Sequence, residues 1–170
     1  MTQKQILALV RKLIADEQAT GFTEGGNLEE PEGTQELINY LDRAVDAYSK
    51  RQAAVKDISF MKKATIRNGG KLPDDFIAFC GAVPVNVDGG TTTFYGETST
   101  LPIRYFARLP YVSSYGENDE LPYEHDDEIT IAALAAIYAL NKHEYEISQD
   151  LYLLGMGGGL GNAPTNQQAQ

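Results

Sequence analysis

Residues 58–67 read ISFMKKATIR, and here the period of the chain changes. Ile58, Phe60, Lys62, Ala64 and Ile66 fall on alternate positions, which suits a strand; helical continuation of its first half is the alternative. Upstream the spacing is helical. Leu37, Ile38, Tyr40, Leu41, Ala44, Val45 and Tyr48 form one apolar stripe, and Arg43, Asp46, Lys50 and Arg51 lie largely off it. Thr34 is the expected N-cap and Glu36 opposes the macrodipole, so a helix is expected over about residues 35–55. Further back, Ile6, Leu7, Val10, Leu13 and Ile14 predict an amphipathic helix over 3–15, capped by Thr2. Between the two helices TGFTEGGNLEEPEG, residues 20–33, reads as a loop.

Downstream the signals are those of strands and turns. Asn68, Gly69 and Gly70 mark a turn, and Asp88, Gly89 and Gly90 a hairpin. Pro84 makes IAFCGAVPVNV an edge or broken strand, because proline cannot donate to a ladder. Ile103, Arg104, Tyr105, Phe106 and Ala107 predict another strand, so residues 58–112 are expected to form a small antiparallel sheet. From about Asp126 a helix that is apolar nearly all round begins, with Asp126, Asp127 and Glu128 in its first turn. Tyr145, Ile147, Leu151, Tyr152 and Leu154 continue the apolar pattern, and Gly155 is a C-cap signal. Residues 155–170, GMGGGLGNAPTNQQAQ, carry no charge and too little apolar surface to fold alone. Strands that cluster between helices predict α+β: a bundle of three or four helices with a β insertion over about 58–112. The expected division is one domain over 1–154 and a flexible Gly-rich tail over 155–170.

Length and composition narrow the function classes. At 170 residues the chain is long enough to bury roughly 70% of its unfolded surface without staples. Cys80 has no disulfide partner, no apolar run reaches the ~18 residues of a membrane span, and no signal peptide is evident, so a cytoplasmic origin is expected. The net charge of −10 opposes sequence-independent binding to phosphate backbones. It is also segregated. Residues 1–42 carry a net −5, residues 43–71 a net +6 and residues 72–170 a net −11, and seven acidic side chains lie within 117–128. Complementary patches of this kind register contacts between subunits. Arg104 and Arg108 are candidates to meet Glu117, Asp119 and Glu120 of a neighbour. Tyr95, Tyr105, Tyr111, Tyr115 and Tyr123 add the amphipathic rings that interfaces favour.

Motifs for chemistry are sparse. His125 and His143 are 18 positions apart, far from the tight pairs a zinc site needs, and Cys80 sits in an apolar run. The 155–161 run GMGGGLG lacks the Lys of a phosphate-binding loop and fails the dinucleotide spacing. No cofactor and no metal is expected. Asp74, Asp75 and Glu128 are the carboxylates a hydrolase reading would use, and a small hydrolase acting on peptidoglycan is one alternative; a cytoplasmic binding module is another.

The order of these segments resembles the head-to-tail connector (adaptor) proteins of tailed bacteriophages over residues 34–154. Leu37, Ile38, Leu41 and Ala44 match its L-I-x-x-L-x-x-A helix; Leu72, Pro73, Asp75 and Phe76 match its step into the strands. Leu121, Pro122, Asp127, Ile129 and Ala133 match its approach to the long apolar helix. The resemblance implies a non-enzymatic virion protein, assembled in the host cytoplasm into a homo-oligomeric, dodecameric ring beneath the portal. DNA would pass through the lumen without specific binding, and a tail, nozzle or stopper protein would follow below. It also implies a C-terminal segment lying on the portal, for which Leu151, Tyr152, Leu154, Met156 and Leu160 are the candidates. This chain departs from the family in its long acidic loop and its uncharged tail.

Overall fold

The computed structural model describes residues 1–19, 31–96 and 98–141. The described residues are a mixture of helix and sheet: three helices and two small antiparallel sheets, with the strands grouped between the second and third helices. The candidate portal-binding residues, the helix expected around 145–154, His143 and the 155–170 segment all lie outside the described residues. Among the described residues, no helix is long and apolar enough to cross a membrane.

Helix α1, Gln3–Ala19, starts at a capping box. Thr2 Oγ1 accepts from the Gln5 amide at 3.3 Å, and Gln5 Oε1 accepts from the Thr2 amide at 2.8 Å. The helix runs four residues beyond the expected 15, through a stretch without apolar periodicity to mark it. Helix α2, Pro31–Ala54, begins four residues before the expected start. Proline fits a first turn because the amide it lacks has no intrahelical acceptor there. Thr34 is therefore inside the helix instead of capping it, and its Oγ1 accepts from Arg11 Nη2 at 2.7 Å.

The end of α2 carries a device the sequence does not announce. The Asp57 amide donates to Gln52 O and the Lys56 amide to Ala53 O, the bond pair of a Schellman cap. Lys56 holds the left-handed position at φ 61°, where glycine is favoured. Its side chain is exposed, so Lys56→Gly is expected to stabilise the fold by about 0.5–1 kcal/mol, read as a higher urea midpoint at unchanged slope. A lower midpoint would show that the lysine makes compensating contacts.

A separate 3-10 turn, Ile58–Phe60, follows, so α2 does not continue into ISFMKKATIR, but its first three residues are helical and the strand is shorter than the alternating pattern. Asp57 caps this turn, accepting from the Ser59 amide at 2.9 Å. Strands β1 Met61–Arg67, β2 Phe76–Phe79, β3 Val85–Asp88, β4 Thr91–Phe94 and β5 Thr100–Ala107 form two sheets, where one was expected. The first has the order β1-β5-β2 and the second is the β3-β4 hairpin. Pro84 and Gly81, the latter at φ 95°, separate β2 from β3. The hairpin turns through Gly89 and Gly90, both at positive φ, the type of turn that matches strand twist. Thr92, fully buried, ties the hairpin back: its Oγ1 donates to Arg67 O at 2.8 Å or Gly70 O at 3.0 Å.

Helix α3, His125–Asn141, packs against both α1 and α2, which explains why its sequence is apolar nearly all round. There are two cores. The larger joins Ile6, Val10, Leu37, Leu41, Val45, Ile131 and Leu134 to Phe60, Phe106 and Val112. The smaller lies between the inner face of the β1-β5-β2 sheet (Ile66, Ile103, Tyr105, Phe76, Phe79) and the hairpin (Phe94, Val85).

Candidate functional site

Alternation along β1 and β5 sorts their side chains to two faces. Ile66, Ile103 and Tyr105 go to the inner face. Lys63, Thr65 and Arg67 of β1 go to the other, with Thr100, Pro102 and Arg104 of β5, and all six are exposed. Lys63 is the direct cross-strand partner of Arg104, Thr65 of Pro102 and Arg67 of Thr100. This outer face is open at its Arg67 end and closes at its other end, where Phe106 enters the helical core. It carries three cations and no acid, and none of the three has an ion-pair partner among the described residues. A shallow depression lined by Lys63, Thr65, Pro102 and Arg104 runs across it. Strand β1 is at the sheet's edge, so its lysines and arginine also guard an open ladder.

The acidic segment is held elsewhere, and firmly. The Gln3 amide donates to Asp119 O at 3.3 Å, the Lys4 amide to Glu117 O at 3.0 Å and the Leu121 amide to Met1 O at 2.9 Å. Asp119 Oδ2 closes the turn by accepting from the Gly116 amide at 2.7 Å. The backbone is thereby fixed to the start of α1, while Glu117, Asp119 and Glu120 stay exposed. Glu117 lines a depression shared with Lys4, Arg11, Thr34, Gln35 and Ile38.

The path between the two charged regions is antiparallel to α2. Leu109 donates its amide to Ser49 Oγ at 3.1 Å, Ser113 donates its amide to Asp42 Oδ1 at 3.1 Å, and Glu117 lies near Ile38. From Ser49 to Ile38 the helix rises roughly 16 Å. The sheet begins past the C-terminal end of α2 and the 117–120 turn sits beside its N-terminal half, so the open cationic face and that turn lie toward opposite ends of α2, while Glu124 and Asp127 stay near its C-terminal half, where Asp127 meets Tyr48.

Of the two arginines singled out in the sequence, Arg104 belongs to the open face and Arg108 does not. Arg108 follows the end of β5 and stacks over the Tyr111 ring at 4.0 Å. Its Nη2 donates to Asp74 O at 3.5 Å, and its Nε is buried without an acceptor among the described residues. It lines a cleft of about 330 Å³ with Phe60, Lys62, Leu109, Glu124 and Asp127. Asp127 there accepts from Tyr48 Oη at 2.6 Å; burial, then that bond, pushes the Tyr48 phenol up to about 12.

Of the three carboxylates considered for hydrolysis, Asp74 is exposed and Asp75 and Glu128 are engaged. Asp75 accepts from Lys62 Nζ at 2.7 Å and from Tyr105 Oη at 2.9 Å. Burial raises its carboxyl, but the bonds from Lys62 and Tyr105 outweigh that and hold it below the usual 3.8. A carboxyl so held is ionised at neutral pH and is no proton donor. Glu128 is 3% exposed, pairs with the Met1 amino group and lies 3.8 Å from His125 Nδ1. Among the described residues, no three of His, Cys, Asp and Glu converge as metal ligands would. Four of the five tyrosines expected at an interface serve the chain's own packing. Tyr105 bonds Asp75, Tyr123 bonds Pro110 O, Tyr111 lies under Arg108 and Tyr115 packs on the helical core. Tyr95 alone of the five is exposed, at 72%.

The Lys62, Asp75 and Tyr105 cluster gives stability two pH limbs. The Asp75 contribution is full above its unfolded value near 3.8 and is lost as pH falls through the depressed folded value. Burial, then Asp75, raises Tyr105 to about 12, so its contribution is full below 10 and is lost as pH rises toward 12. Asp75→Asn is expected to cost about 1 kcal/mol at neutral pH and to lower the Tyr105 titration, seen in phenolate absorbance that no tryptophan obscures. An unchanged tyrosine titration would mean that burial alone sets it.

Compared with protein-family models, with curated proteins and with solved structures, the chain matches none.

Proposed function

We propose that this chain is a structural virion protein: a ring-forming head-to-tail adaptor that docks beneath a portal and continues the DNA channel toward the tail. The observation that supports it most is the open face that carries Lys63, Arg67 and Arg104 without an acid, set apart along α2 from the exposed Glu117, Asp119 and Glu120 of the acidic turn. Rings close through heterologous contacts, so each subunit must present two different and complementary surfaces. A ring subunit would use one such surface against each neighbour.

The remaining parts of the reading extend it to residues outside those described. Helices α1, α2 and α3 would form a bundle, with the segment around 145–154 as its fourth member. The uncharged residues 155–170, with Leu151, Tyr152, Leu154, Met156 and Leu160, would order on the portal, and a lumen walled mostly by acids would let DNA slide past. The test is to mix the purified protein with a portal ring and image the product. A second ring stacked coaxially on the portal is expected, and truncation at Gly155 should abolish docking while leaving the melting transition in place. Protein that stays monomeric beside intact portals would overturn the assignment.

A further inference from the structure

We propose that the open face of the β1-β5 sheet receives the acidic turn of a second copy of this chain, with Lys63 and Arg104 taking Glu117 and Glu120. This rests on the ring reading and names the surfaces through which a ring would close.

Lys63 and Arg104 are directly opposed across the two strands, and like charges so placed repel. No acid on the face relieves them, and Arg67 adds a third cation four residues along β1. The repulsion is removed when an anion sits over the pair. Between the cations stand only Thr65, Thr100 and Pro102, small side chains that let a partner approach the sheet closely. The acidic turn is the matching object. Its backbone is tied to Met1, Gln3 and Lys4 by three hydrogen bonds, so its side chains are presented with little ordering left to do. Neither Glu117 nor Glu120 forms an ion pair among the described residues, although Glu117 shares its depression with Lys4 and Arg11. The two surfaces lie toward opposite ends of α2, so the acid reaching this face comes from another molecule, and the contact is head-to-tail. Nucleic-acid phosphates are the other polyanion a cationic face could take, but a chain of net charge −10 repels them as a body.

Carbodiimide, which joins an amine to a carboxylate in contact, tests this. Cross-linking an equal mixture of unlabelled and nitrogen-15-labelled protein should give mixed-isotope links from Lys63 to Glu117 or Glu120, weakened several-fold at about 0.5 M salt. The face variant Arg104→Glu keeps the Lys63 amine and the turn variant Glu120→Lys keeps the Glu117 carboxylate, and each alone should weaken the Lys63–Glu117 link several-fold. Mixed together, the two variants should recover the link, because each now offers what the other needs. Both positions are exposed, so both variants should melt within a few degrees of the parent. Links that persist at parental strength in either variant alone, or fail to return in the mixture, overturn the pairing. So does a duplex DNA that the parent binds and the face variant does not. Portal-bound rings without these links would sink the contact and leave the adaptor reading standing; links without rings would do the reverse.

Discussion

Leu134→Ala is expected to remove about 3–4 kcal/mol of stability, a large part of the ~5–15 kcal/mol that holds a domain together. Leu134 has no solvent exposure and lies on α3 where that helix meets α1 and α2. The size of the loss follows from its neighbours. Much of the buried surface of α3 is alanine, at 132, 135, 136 and 139, so the helix is already drawn close to its partners. Ile131 and Leu134 supply most of the side-chain volume it buries. Alanine neighbours have no length with which to fill a void, so the cavity persists and its cost adds to the transfer term. Ile129→Ala is the contrast: on the same helix but 45% exposed, it should cost under about 1 kcal/mol. Chemical denaturation of both variants checks this. A Leu134→Ala loss as small as that of Ile129→Ala would mean that α3 relaxes into the gap.

The same helix shows what was legible beforehand. Its position and its acidic first turn follow from local spacing, and its all-round apolar character fits either a central helix or one in an interface; the packing against α1 and α2 decides for the first. The capping box of α1, the hairpin at Gly89 and Gly90 and the break at Pro84 were local too. What escaped were features created by contacts between distant residues. Lys56 in a left-handed cap looks like any surface lysine, since no glycine marks the end of α2. Charge and proximity in sequence alone put Arg104 and Arg108 forward for the same contact with an acidic loop. The strand ends at Ala107, however, and Arg108 leaves the sheet to stack on Tyr111. The cation that does join Arg104 is Lys63, some forty residues earlier. Parity along β1 could have placed Lys63 and Arg67 together, but only the antiparallel register with β5 sets Arg104 opposite Lys63. Whole-segment charge was informative about polarity, and register was needed to say which side chains carry it.

Gln3→Leu is expected to cost about 2–3 kcal/mol and, beyond that, to free the acidic turn. Gln3 is a buried polar side chain in the first turn of α1. Its Nε2 donates to Val112 O at 3.1 Å and to Tyr115 O at 2.7 Å. Leucine fills a similar volume but offers no donor, so two carbonyls in a largely dry site lose their partner, at about 1–1.5 kcal/mol each. Those carbonyls belong to the segment that leads into residues 116–121, whose backbone is bonded to the same end of α1. Loss of the bracket should therefore be local before it is global. Amide hydrogen exchange is expected to speed up over residues 112–121 by far more than over β1 and β5, while the urea midpoint falls by an amount matching the free-energy loss. If a mobile turn no longer presents its carboxylates in one arrangement, the cross-links from Lys63 should fall in the same variant even though none of the charges has been changed. Uniform acceleration across the chain would show that Gln3 contributes only to overall stability. A turn that stays protected would show that the three backbone bonds to Met1, Gln3 and Lys4 suffice to hold it.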